Sequence, residues 1–327
     1  MRDTLFVEFP YRLLLSEHTL GTKPCLTKNT NIPEVNMREF KDKVAVITGA
    51  ASGIGRAIAD RCVNEGMKVV LADIEEGALL RTERELQEMG AATLSVVTDI
   101  SKEADIRLLA QKTVQTFGAV HLLFNNAGVD AGTGRLLWEN TVADWQWVIN
   151  VNIWGILFAT EIFVPIMVKQ KTPCHIVNTA SIAGLLSGPG NGIYSASKHA
   201  VLSLSETLYQ ELRLIGSNVG VSVVCPGFVR TQIMDAERNR PTELRKPDGS
   251  GNLPPERQVI TELARKAVQN GILPEDVAHQ IFEGIRKGQL YIITEPKFKP
   301  AIRQHMENVL NESNPTASQM QLVRNLL

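Results

Sequence analysis

The feature that most constrains this chain is a glycine-rich segment at residues 48–55, with the sequence TGAASGIG. The apolar run 44–47 precedes it, and the helix-compatible stretch 56–59 follows it. Glycine lets the backbone turn tightly and approach a ligand with no Cβ atom in the way, and the N–H groups at a helix start attract anions. The order strand, glycine loop, helix therefore predicts a site for the pyrophosphate of a dinucleotide. The spacing differs from the commoner Gly-x-Gly-x-x-Gly pattern, and a plain turn is the alternative.

Short apolar runs alternate with longer helical patterns along most of the chain, which is typical of βαβ units. Strands are predicted at 44–48, 68–72, 93–97, 121–124, 174–178, 220–224 and 290–293. Helices are predicted at 53–66, 76–90, 103–117, 143–170, 193–216 and 274–287. Because several strands are almost entirely apolar, both faces of the sheet should be covered. The predicted fold class is therefore α/β, a single doubly wound (Rossmann-type) parallel sheet with helices on both faces.

An acidic residue, Asp73, ends the second predicted strand, about 20 residues beyond the glycine loop. A carboxylate at this place can accept hydrogen bonds from the ribose hydroxyls of NAD, and it would repel the 2′-phosphate of NADP. We therefore expect NAD as the cofactor, with NADP disfavoured. A turn or cap role is the alternative for Asp73.

Tyr194 and Lys198 are four residues apart in a predicted helix, so the phenol and the ammonium should share one face. A neighbouring cation favours phenolate over phenol, which lowers the pKa of the tyrosine and suits it to exchange a proton with an alcohol or a carbonyl. Ser181 follows a predicted strand and can offer its hydroxyl to a substrate oxygen. Each of these residues, taken alone, could equally be an ordinary helix or loop residue.

Two asparagine-containing segments complete the candidate positions. The tetrapeptide NNAG at 125–128 follows a predicted strand, and its small residues would let the backbone pass close to a ring or a ribose. Bracing of the central sheet is the alternative for this segment. Asn152 is a polar residue in an otherwise apolar helix, so when buried it needs a partner, which is either a protein group or a proton-relay water.

With these positions in order, the chain resembles the short-chain dehydrogenase/reductase family, in its single-domain subtype, from about residue 40 to 291. The resemblance rests on TGxxxGIG, NNAG, the Ser/Tyr/Lys set and the PG pair at 226–227. It implies Tyr194 as the catalytic acid/base and Lys198 as the residue that holds the nicotinamide ribose. It also implies that Ser181 orients the substrate oxygen and that Asn152 anchors a relay water.

The same resemblance implies a set of residues along the cofactor, with Asp99 near the adenine. The set is Gly49, Ser52, Gly53, Ile54, Gly55, Asp73, Asp99, Ile100, Asn126, Ala127, Gly128, Tyr194, Lys198, Pro226, Gly227, Val229 and Thr231. Family members commonly pair two long helices, which correspond here to 143–170 and 193–216. A homodimer or homotetramer is therefore expected.

The strand and helix rhythm fails in three places. Residues 232–270 carry four prolines among mixed charges, which favours a mobile lid over a site, with a solvated surface insertion as the alternative. Residues 1–39 are expected to be an N-terminal extension of a domain at 40–295, and translation that starts at Met37 is the alternative. Residues 296–327 are expected to be a C-terminal tail, loosely ordered beyond Asn311.

Composition narrows the class of partner. A formal net charge of −1 provides no electrostatic footprint for nucleic acid or for an anionic membrane. Polar residues and a proline break the apolar stretch 147–168, which favours a buried helix over a membrane span. The four cysteines lie far apart without a Cys-x-x-Cys pair, which is typical of reduced thiols in a cytoplasmic protein and not of a metal site.

The sequence therefore predicts an oxidoreductase that carries a hydride between NAD(H) and a secondary alcohol or a ketone. An epimerase or dehydratase is one alternative, although such enzymes usually have a larger C-terminal substrate domain. A catalytically silent nucleotide-sensing module is the other, although it should lack part of the Ser/Tyr/Lys/Asn set. Seven apolar residues near the predicted site favour an apolar substrate. The basic residues at 238–246 leave an anionic substrate as the alternative. The apolar residues are Ile182, Leu185, Leu186, Pro189, Ile193, Ile233 and Met234.

Overall fold

The computed structural model describes residues 35–131, 134–245 and 253–316. Its centre is a parallel sheet of seven strands in the order β3-β2-β1-β4-β5-β6-β7. The strands are β1 Val44–Thr48, β2 Lys68–Asp73, β3 Thr93–Val97, β4 Leu122–Asn125, β5 Cys174–Thr179, β6 Val219–Cys225 and β7 Tyr291–Ile293. All seven predicted strands are confirmed, each to within about a residue at its ends.

Helices connect successive strands and cover both faces of this sheet. They are α1 Gly53–Asn64, α2 Glu76–Glu88, α3 Glu103–Phe117, α4 Val142–Ile149, α5 Gly155–Gln170, α6 Gly192–Leu214, α7 Pro255–Gln269, α8 Pro274–Arg286 and α9 Lys299–Leu310. The strand order reverses between β1 and β4, because the chain runs outward from β1 to β3 and then crosses to the other side. The doubly wound, Rossmann-type fold is therefore confirmed, and its switch point is the expected place for a ligand.

Apolar side chains pack on both faces of the sheet. α1 and α8 bury Ile58 and Phe282 against one face, whereas α3 and α5 bury Leu109 and Phe163 against the other. Complete burial of each such side chain stabilises the fold by about 1.5–3 kcal/mol. This double cover explains why β1 and β6 are buried at every position and read as continuous apolar runs.

The long helix predicted at 143–170 is interrupted. A π-helical segment, Asn150–Trp154, separates α4 from α5 and turns Asn152 into the protein interior. Within the described residues, the run Val142–Gln170 has the length and apolar composition of a membrane span. In the structure one side of this run packs in the core, since Ala159 and Phe163 lie against the sheet.

The stretch 232–270, predicted to be a mobile excursion, is largely helical in its described residues, and its mobility stays a prediction. 3-10 helices form at Ile233–Asn239 and Thr242–Leu244, and α7 follows. The prolines that suggested irregular chain include the first residue of α7, where the fixed φ of proline suits a helix start. Residues 246–252 lie outside the described part. We call residues 232–245 and 253–270 the lid.

Residues just outside the predicted domain, 40–295, also pack in the core. Met37 and Phe40 are buried in the core, so the chain joins the domain before residue 40. At the other end, Phe298 and Ala301 are buried and α9 runs to Leu310, well beyond residue 295. The predicted tail therefore contributes structure to the domain up to that helix. The rest of the predicted extension and of the tail, before residue 35 and after residue 316, lies outside the described residues.

Candidate active site

A groove crosses the carboxyl ends of the central strands, at the switch point of the sheet. Gly49, Ser52, Gly53 and Ile54 form part of its wall. Gly49 has a φ of +67°, and a Cβ atom on it would lie 2.9 Å from the Cα atom of Ala127, so the turn requires glycine. The first N–H groups of α1 begin directly after Ser52, and such groups favour an anion.

Gly55, which the sequence predicts to touch the cofactor, lies outside the residues that line the groove. A Cβ atom on it would overlap the carbonyl oxygen of Gly49 and the Asn126 side chain. Gly55 thus lets α1 pack directly against the loop that precedes it. Its contribution to the site is the close approach of helix and loop.

Thr48, which sequence reasoning missed, fixes the NNAG segment to the end of β1. Its Oγ1 accepts hydrogen bonds from the N–H groups of Asn126 at 2.9 Å and Ala127 at 3.1 Å. Asn125 instead donates to the Asn178 side chain at 2.8 Å, which joins β4 to β5. Asn125 therefore braces the sheet, and Asn126 does both: its side chain donates to Thr48 O at 3.1 Å, and it lines the groove with Ala127. A threonine at the end of the first strand was the available signal.

Asp73 lines the groove at the end of β2 and also ties the glycine loop to that strand. Its Oδ2 accepts a hydrogen bond from Ala51 N–H at 2.9 Å, and its Oδ1 accepts one from Glu75 N–H at 3.0 Å. Burial raises the pKa of Asp73, and these backbone hydrogen bonds oppose the rise. A carboxylate has about four lone-pair sites, so acceptor capacity remains for ribose hydroxyls.

Three of the four catalytic candidates line the groove. Ser181 follows β5, and Tyr194 and Lys198 share one face of α6, as the sequence predicts. The Nζ atom of Lys198 lies 5.6 Å from the centre of the Tyr194 ring. It donates a hydrogen bond to the carbonyl oxygen of Thr179 at 2.8 Å. These contacts bring a hydroxyl, a phenol and an ammonium into one pocket.

The pKa of Tyr194 differs from the prediction. Burial raises this pKa above its ordinary value, the charge of Asp130 adds to the rise, and the hydroxyl of Ser181 opposes it. Burial also lowers the pKa of Lys198 to about 8. The net shift of the Tyr194 pKa is therefore upward, opposite to the predicted direction, because burial disfavours the charged form of the phenol. The neutral phenol is the stable form at pH 7.

Asn152 lies behind this cluster and does not line the groove. Its side-chain amide donates to Val129 O at 2.9 Å and to Ser197 Oγ at 3.0 Å, and its Oδ1 accepts a hydrogen bond from Val129 N–H at 2.9 Å. Protein groups therefore satisfy the side chain, which is the structural alternative. A Cβ atom on Gly128 would lie 3.3 Å from both Asn152 Oδ1 and Lys198 Nζ. The anchoring of a relay water stays a prediction.

The remaining predicted cofactor residues line the same groove. They are Asp99, Ile100, Gly128, Pro226, Gly227, Val229 and Thr231. The lid, α4 and the loop after β2 add lining residues that sequence reasoning missed. Among these are Glu75, Trp147, Ala236, Arg238, Asn239 and Val268. Nothing in the sequence indicates that Trp147 or Val268, which lie in helices, line the groove. The closeness of Glu75 to Asp73 in the sequence does indicate that Glu75 lies near the site.

The apolar surface of the groove comes from other residues than predicted. Of the seven apolar residues named for the pocket, Ile233 alone belongs to the lining. Leu185 and Ile193 instead pack in the core, which was the alternative for this set. Val129, Val151 and Trp147 supply apolar surface in their place.

Two of the basic residues at 238–246, Arg238 and Arg240, are paired with acids in the structure. Arg238 contacts Glu75 at 2.7 Å, and Arg240 contacts the buried Asp144 at 2.8 Å. Neither guanidinium is therefore available in this arrangement to receive a substrate anion without losing its partner. Lys246 lies outside the described residues.

The residues of the groove fit a dinucleotide. The glycines of the loop at 49–55 lack the side chains that would fill the space beside it. The N-terminus of α1 adjoins this loop, and the Asp73 carboxylate retains acceptor sites for ribose hydroxyls. Among the described residues, no cluster of three metal-ligating side chains occurs. Cys62, Cys174 and Cys225 are buried free thiols in the core.

Known proteins share this architecture. A family model for short chain dehydrogenases matches residues 43–242. A CLA biosynthesis dehydrogenase/reductase from Lactiplantibacillus plantarum is 34% identical over 279 residues, which are 85% of this chain and 97% of that protein. An (S)-acetoin-forming diacetyl reductase from Staphylococcus epidermidis is 40% identical over 193 residues, 59% of this chain and 74% of its own length.

A solved structure gives a further likeness. A short-chain dehydrogenase/reductase from Burkholderia phymatum, in complex with NAD, has a TM-score of 0.82 and 48% identity to this protein. The match covers 86% of this chain and 98% of that one. The family model spans more than half of the described domain, and the relatives align over most of their own lengths. This chain therefore belongs to the short-chain dehydrogenase/reductase family.

Proposed function

We propose that the protein is an NAD-dependent oxidoreductase that interconverts a secondary alcohol and a ketone, with Tyr194 as the acid/base. The observation that carries the proposal is the meeting of Ser181, Tyr194 and Lys198 in a groove that fits a dinucleotide. When bound, NAD(H) supplies or accepts the hydride. The protein's own residues then have to orient the substrate oxygen and move one proton.

In ketone reduction, the Tyr194 phenol donates its proton to the substrate oxygen, and the Ser181 hydroxyl orients and polarises that oxygen. The raised pKa of Tyr194 keeps the phenol protonated at neutral pH, so reduction has its acid available. Alcohol oxidation needs the phenolate and should accelerate as pH rises. Lys198, as an ammonium, stabilises the phenolate left after proton transfer, and this support weakens above its pKa of about 8.

Asp73 supports NAD over NADP as the cofactor. Its partly desolvated carboxylate lies at the lip of the groove, where a 2′-phosphate would bring negative charge close to it. The NAD complex of the Burkholderia relative agrees with this preference. We expect kcat/KM to be higher with NADH than with NADPH, and Asp73→Asn to reduce that ratio by roughly tenfold. A wild-type preference for NADPH would contradict the assignment.

The lining of the groove supports an apolar substrate. Trp147, Val129 and Ala236 line the same groove as the catalytic cluster, whereas Arg238 and Arg240 of the lid are paired with acids. A panel that compares apolar with carboxylated ketones tests this point. Faster turnover of the carboxylated ketones would contradict it.

We also propose a cytoplasmic homodimer or homotetramer that pairs α5 and α6 of neighbouring subunits. α5 is almost wholly apolar. Only about a third of the most apolar part of the run Val142–Gln170 is buried in the single chain, and Trp154, just before α5, is half exposed. An apolar helix face of this kind suits a second copy. Sedimentation analysis would test it, and a monomer at micromolar concentration would contradict it.

The decisive experiment follows NADH absorbance during turnover of a ketone panel by wild-type protein and by Tyr194→Phe. Loss of the phenolic proton should lower kcat at least a hundredfold, while the Kd for NADH changes little. A matched control is Tyr209→Phe, on α6 but outside the groove lining. Tyr194→Phe activity at a tenth of wild type would contradict the role. Binding of NADH without turnover of any ketone would instead favour a sensing module.

A further inference from the structure

Behind one wall of the groove lies a buried carboxylate, Glu295, that the proposed mechanism does not use. The residue is 7% exposed and follows β7. In the sheet, Ile293 pairs with Cys225, the last residue of β6. This register carries Glu295 alongside the segment 226–228, which we call the PGF loop. Two residues of the PGF loop, Pro226 and Gly227, line the groove.

Glu295 supports the PGF loop from behind. Its Oε2 accepts a hydrogen bond from Phe228 N–H at 2.9 Å. The same oxygen occupies the space that a Cβ atom on Gly227 would need. Its Oε1 contacts the half-exposed Lys297 at 2.8 Å. Phe298 packs on Phe228 with ring centres 6.2 Å apart, so both ends of the turn at 295–298 contact the PGF loop.

The other side of the PGF loop contacts the turn that carries Ser181. The carbonyl oxygen of Pro226 accepts a hydrogen bond from Ile182 N–H at 2.8 Å. The loop is thus fixed between the catalytic turn and Glu295. A hydrogen bond from a backbone N–H to a carboxylate is stronger than one to a neutral oxygen, and an unpaired buried N–H is costly.

We propose that Glu295 is a positioning residue for the cofactor: it holds the PGF loop at the depth in the groove that dinucleotide binding requires. It acts through Phe228 and Gly227 and itself lies outside the groove lining. The inference rests on the proposed function, since it assigns a support to the same cofactor site. It also gives the C-terminal turn at 295–298 a role in the site.

The test titrates NADH, by its fluorescence and without substrate, into the full-length wild type and three variants. Glu295→Ala removes the acceptor of Phe228 N–H and should raise the Kd for NADH roughly tenfold. At saturating NADH, its kcat should stay within about threefold of wild type, because the catalytic cluster keeps its own contacts. Glu295→Gln retains an acceptor oxygen and should show a smaller rise. Glu307→Ala, on the exposed side of α9, is the matched control and should bind as the wild type does.

A purely structural role would lower the thermal midpoint of Glu295→Ala and leave the Kd unchanged, and that result would overturn the proposal. If Glu295→Ala does not fold, Glu295→Gln decides through hydrogen exchange of the peptide 226–230. Faster exchange there with weaker NADH binding supports the role, whereas unchanged exchange and Kd overturn it. Absence of NADH binding by the wild type would contradict the proposed function itself. Normal wild-type binding with unaffected Glu295 variants would contradict only the positioning role.

Discussion

Two walls of one groove are built by different physical means. The wall at 48–55 and 126–128, which we call the cradle, is shaped by backbone: glycines, strand ends and hydrogen bonds such as those to Thr48. Several contacts of the lid are ion pairs between side chains distant in sequence, such as Arg240 with Asp144. A backbone wall cannot change without strain, whereas a wall held by ion pairs can open when those pairs break. The comparison suggests a rigid cofactor side and an adjustable substrate side.

The strongest anchor of the lid is Arg240. Its side chain is 1% exposed, contacts the fully buried Asp144 at 2.8 Å and makes two hydrogen bonds of 2.7 Å with Glu237. Its guanidinium carbon lies 4.2 Å from the centre of the Trp147 ring, and Trp147 lines the groove. The lid and the apolar substrate wall are therefore joined at one side chain.

The largest effect is expected from Arg240→Met. Removal of one partner leaves the buried Asp144 carboxylate with less compensation, which typically costs about 3–5 kcal/mol. Native-state hydrogen exchange should show that cost as easier opening of residues 233–245, and the KM for the ketone should rise while the Kd for NADH stays within about twofold. Arg265→Met, which breaks the exposed pair with Asp235, is the control. Unchanged exchange in the lid would show that Arg240 does not anchor it.

Gly55→Val should produce the next largest effect, on the cradle. The new side chain would overlap the carbonyl oxygen of Gly49, so α1 must move away from the loop. Overpacking of this kind costs up to about 3 kcal/mol, which corresponds to roughly a hundredfold weaker NADH binding. Gly188→Val is the matched control, because no atom lies within 4 Å of a Cβ there. If Gly55→Val bound NADH normally, the cradle would be less rigid than its geometry indicates.

The third prediction concerns how the stability of the sheet, as distinct from the two walls of the groove, depends on pH. Burial lowers the pKa of His175 to about 3, and burial with nearby lysines lowers that of His121 to about 4. Both residues lie at the amino ends of their strands, opposite the groove. A histidine with a depressed folded-state pKa contributes its full stability above the unfolded value of about 6.5, and this stability is lost as pH falls toward the folded value.

At pH 5, the buried His175 should therefore reduce the free energy of unfolding by about 2 kcal/mol relative to pH 7.5, and the half-buried His121 should reduce it by less. Urea unfolding at the two pH values measures the loss. His121→Asn should flatten the pH dependence, since Asn can still accept the hydrogen bond from Val44 N–H that His121 Nδ1 accepts at 3.1 Å. A midpoint that does not change between these pH values would contradict the assignment of neutral, buried imidazoles.

The same contrast explains what the sequence could predict. The cradle and the catalytic set depend on short segments in which glycine, strand end and helix face dictate geometry, so Gly49, Asn126 and Tyr194 were found where the structure has them. The lid depends on pairs such as Arg257 with Glu139, which are separated by more than a hundred residues. Charge patterns within the lid segment carry no information about such distant partners. Its prolines therefore predict breaks in the chain, although Pro255 begins a helix.

Two further differences have local causes. The pKa of Tyr194 could not be inferred from the spacing of Tyr194 and Lys198, because burial of both groups outweighs their proximity. Asn152 was identified as a buried polar residue that needs partners, but its partners are the backbone of Val129 and the hydroxyl of Ser197. Spacing in the sequence predicts which residues share a face of a helix, but it does not predict how deeply their side chains are buried.

The smallest effect is expected where the lid meets the loop after β2, between Arg238 and Glu75. Oε1 of Glu75 accepts hydrogen bonds from Arg238 Nε and Asn239 Nδ2, each at 2.9 Å, across the groove from the lid to the loop after Asp73. Both charged side chains are 34% exposed, and exposed pairs contribute about 0.2–1 kcal/mol, screened by salt.

Arg238→Gln should therefore raise the dissociation rate of NADH by less than about fivefold at low ionic strength, and the difference should vanish in high salt. Stopped-flow displacement of NADH measures this rate, and Glu75→Gln should reproduce the effect because it removes the other charge of the same pair. The double variant should release NADH little faster than either single variant, because each substitution already removes the same ion pair. A salt-independent acceleration of tenfold or more would mean that the lid holds the cofactor directly, and the separation into a rigid cofactor wall and an adjustable substrate wall would fail.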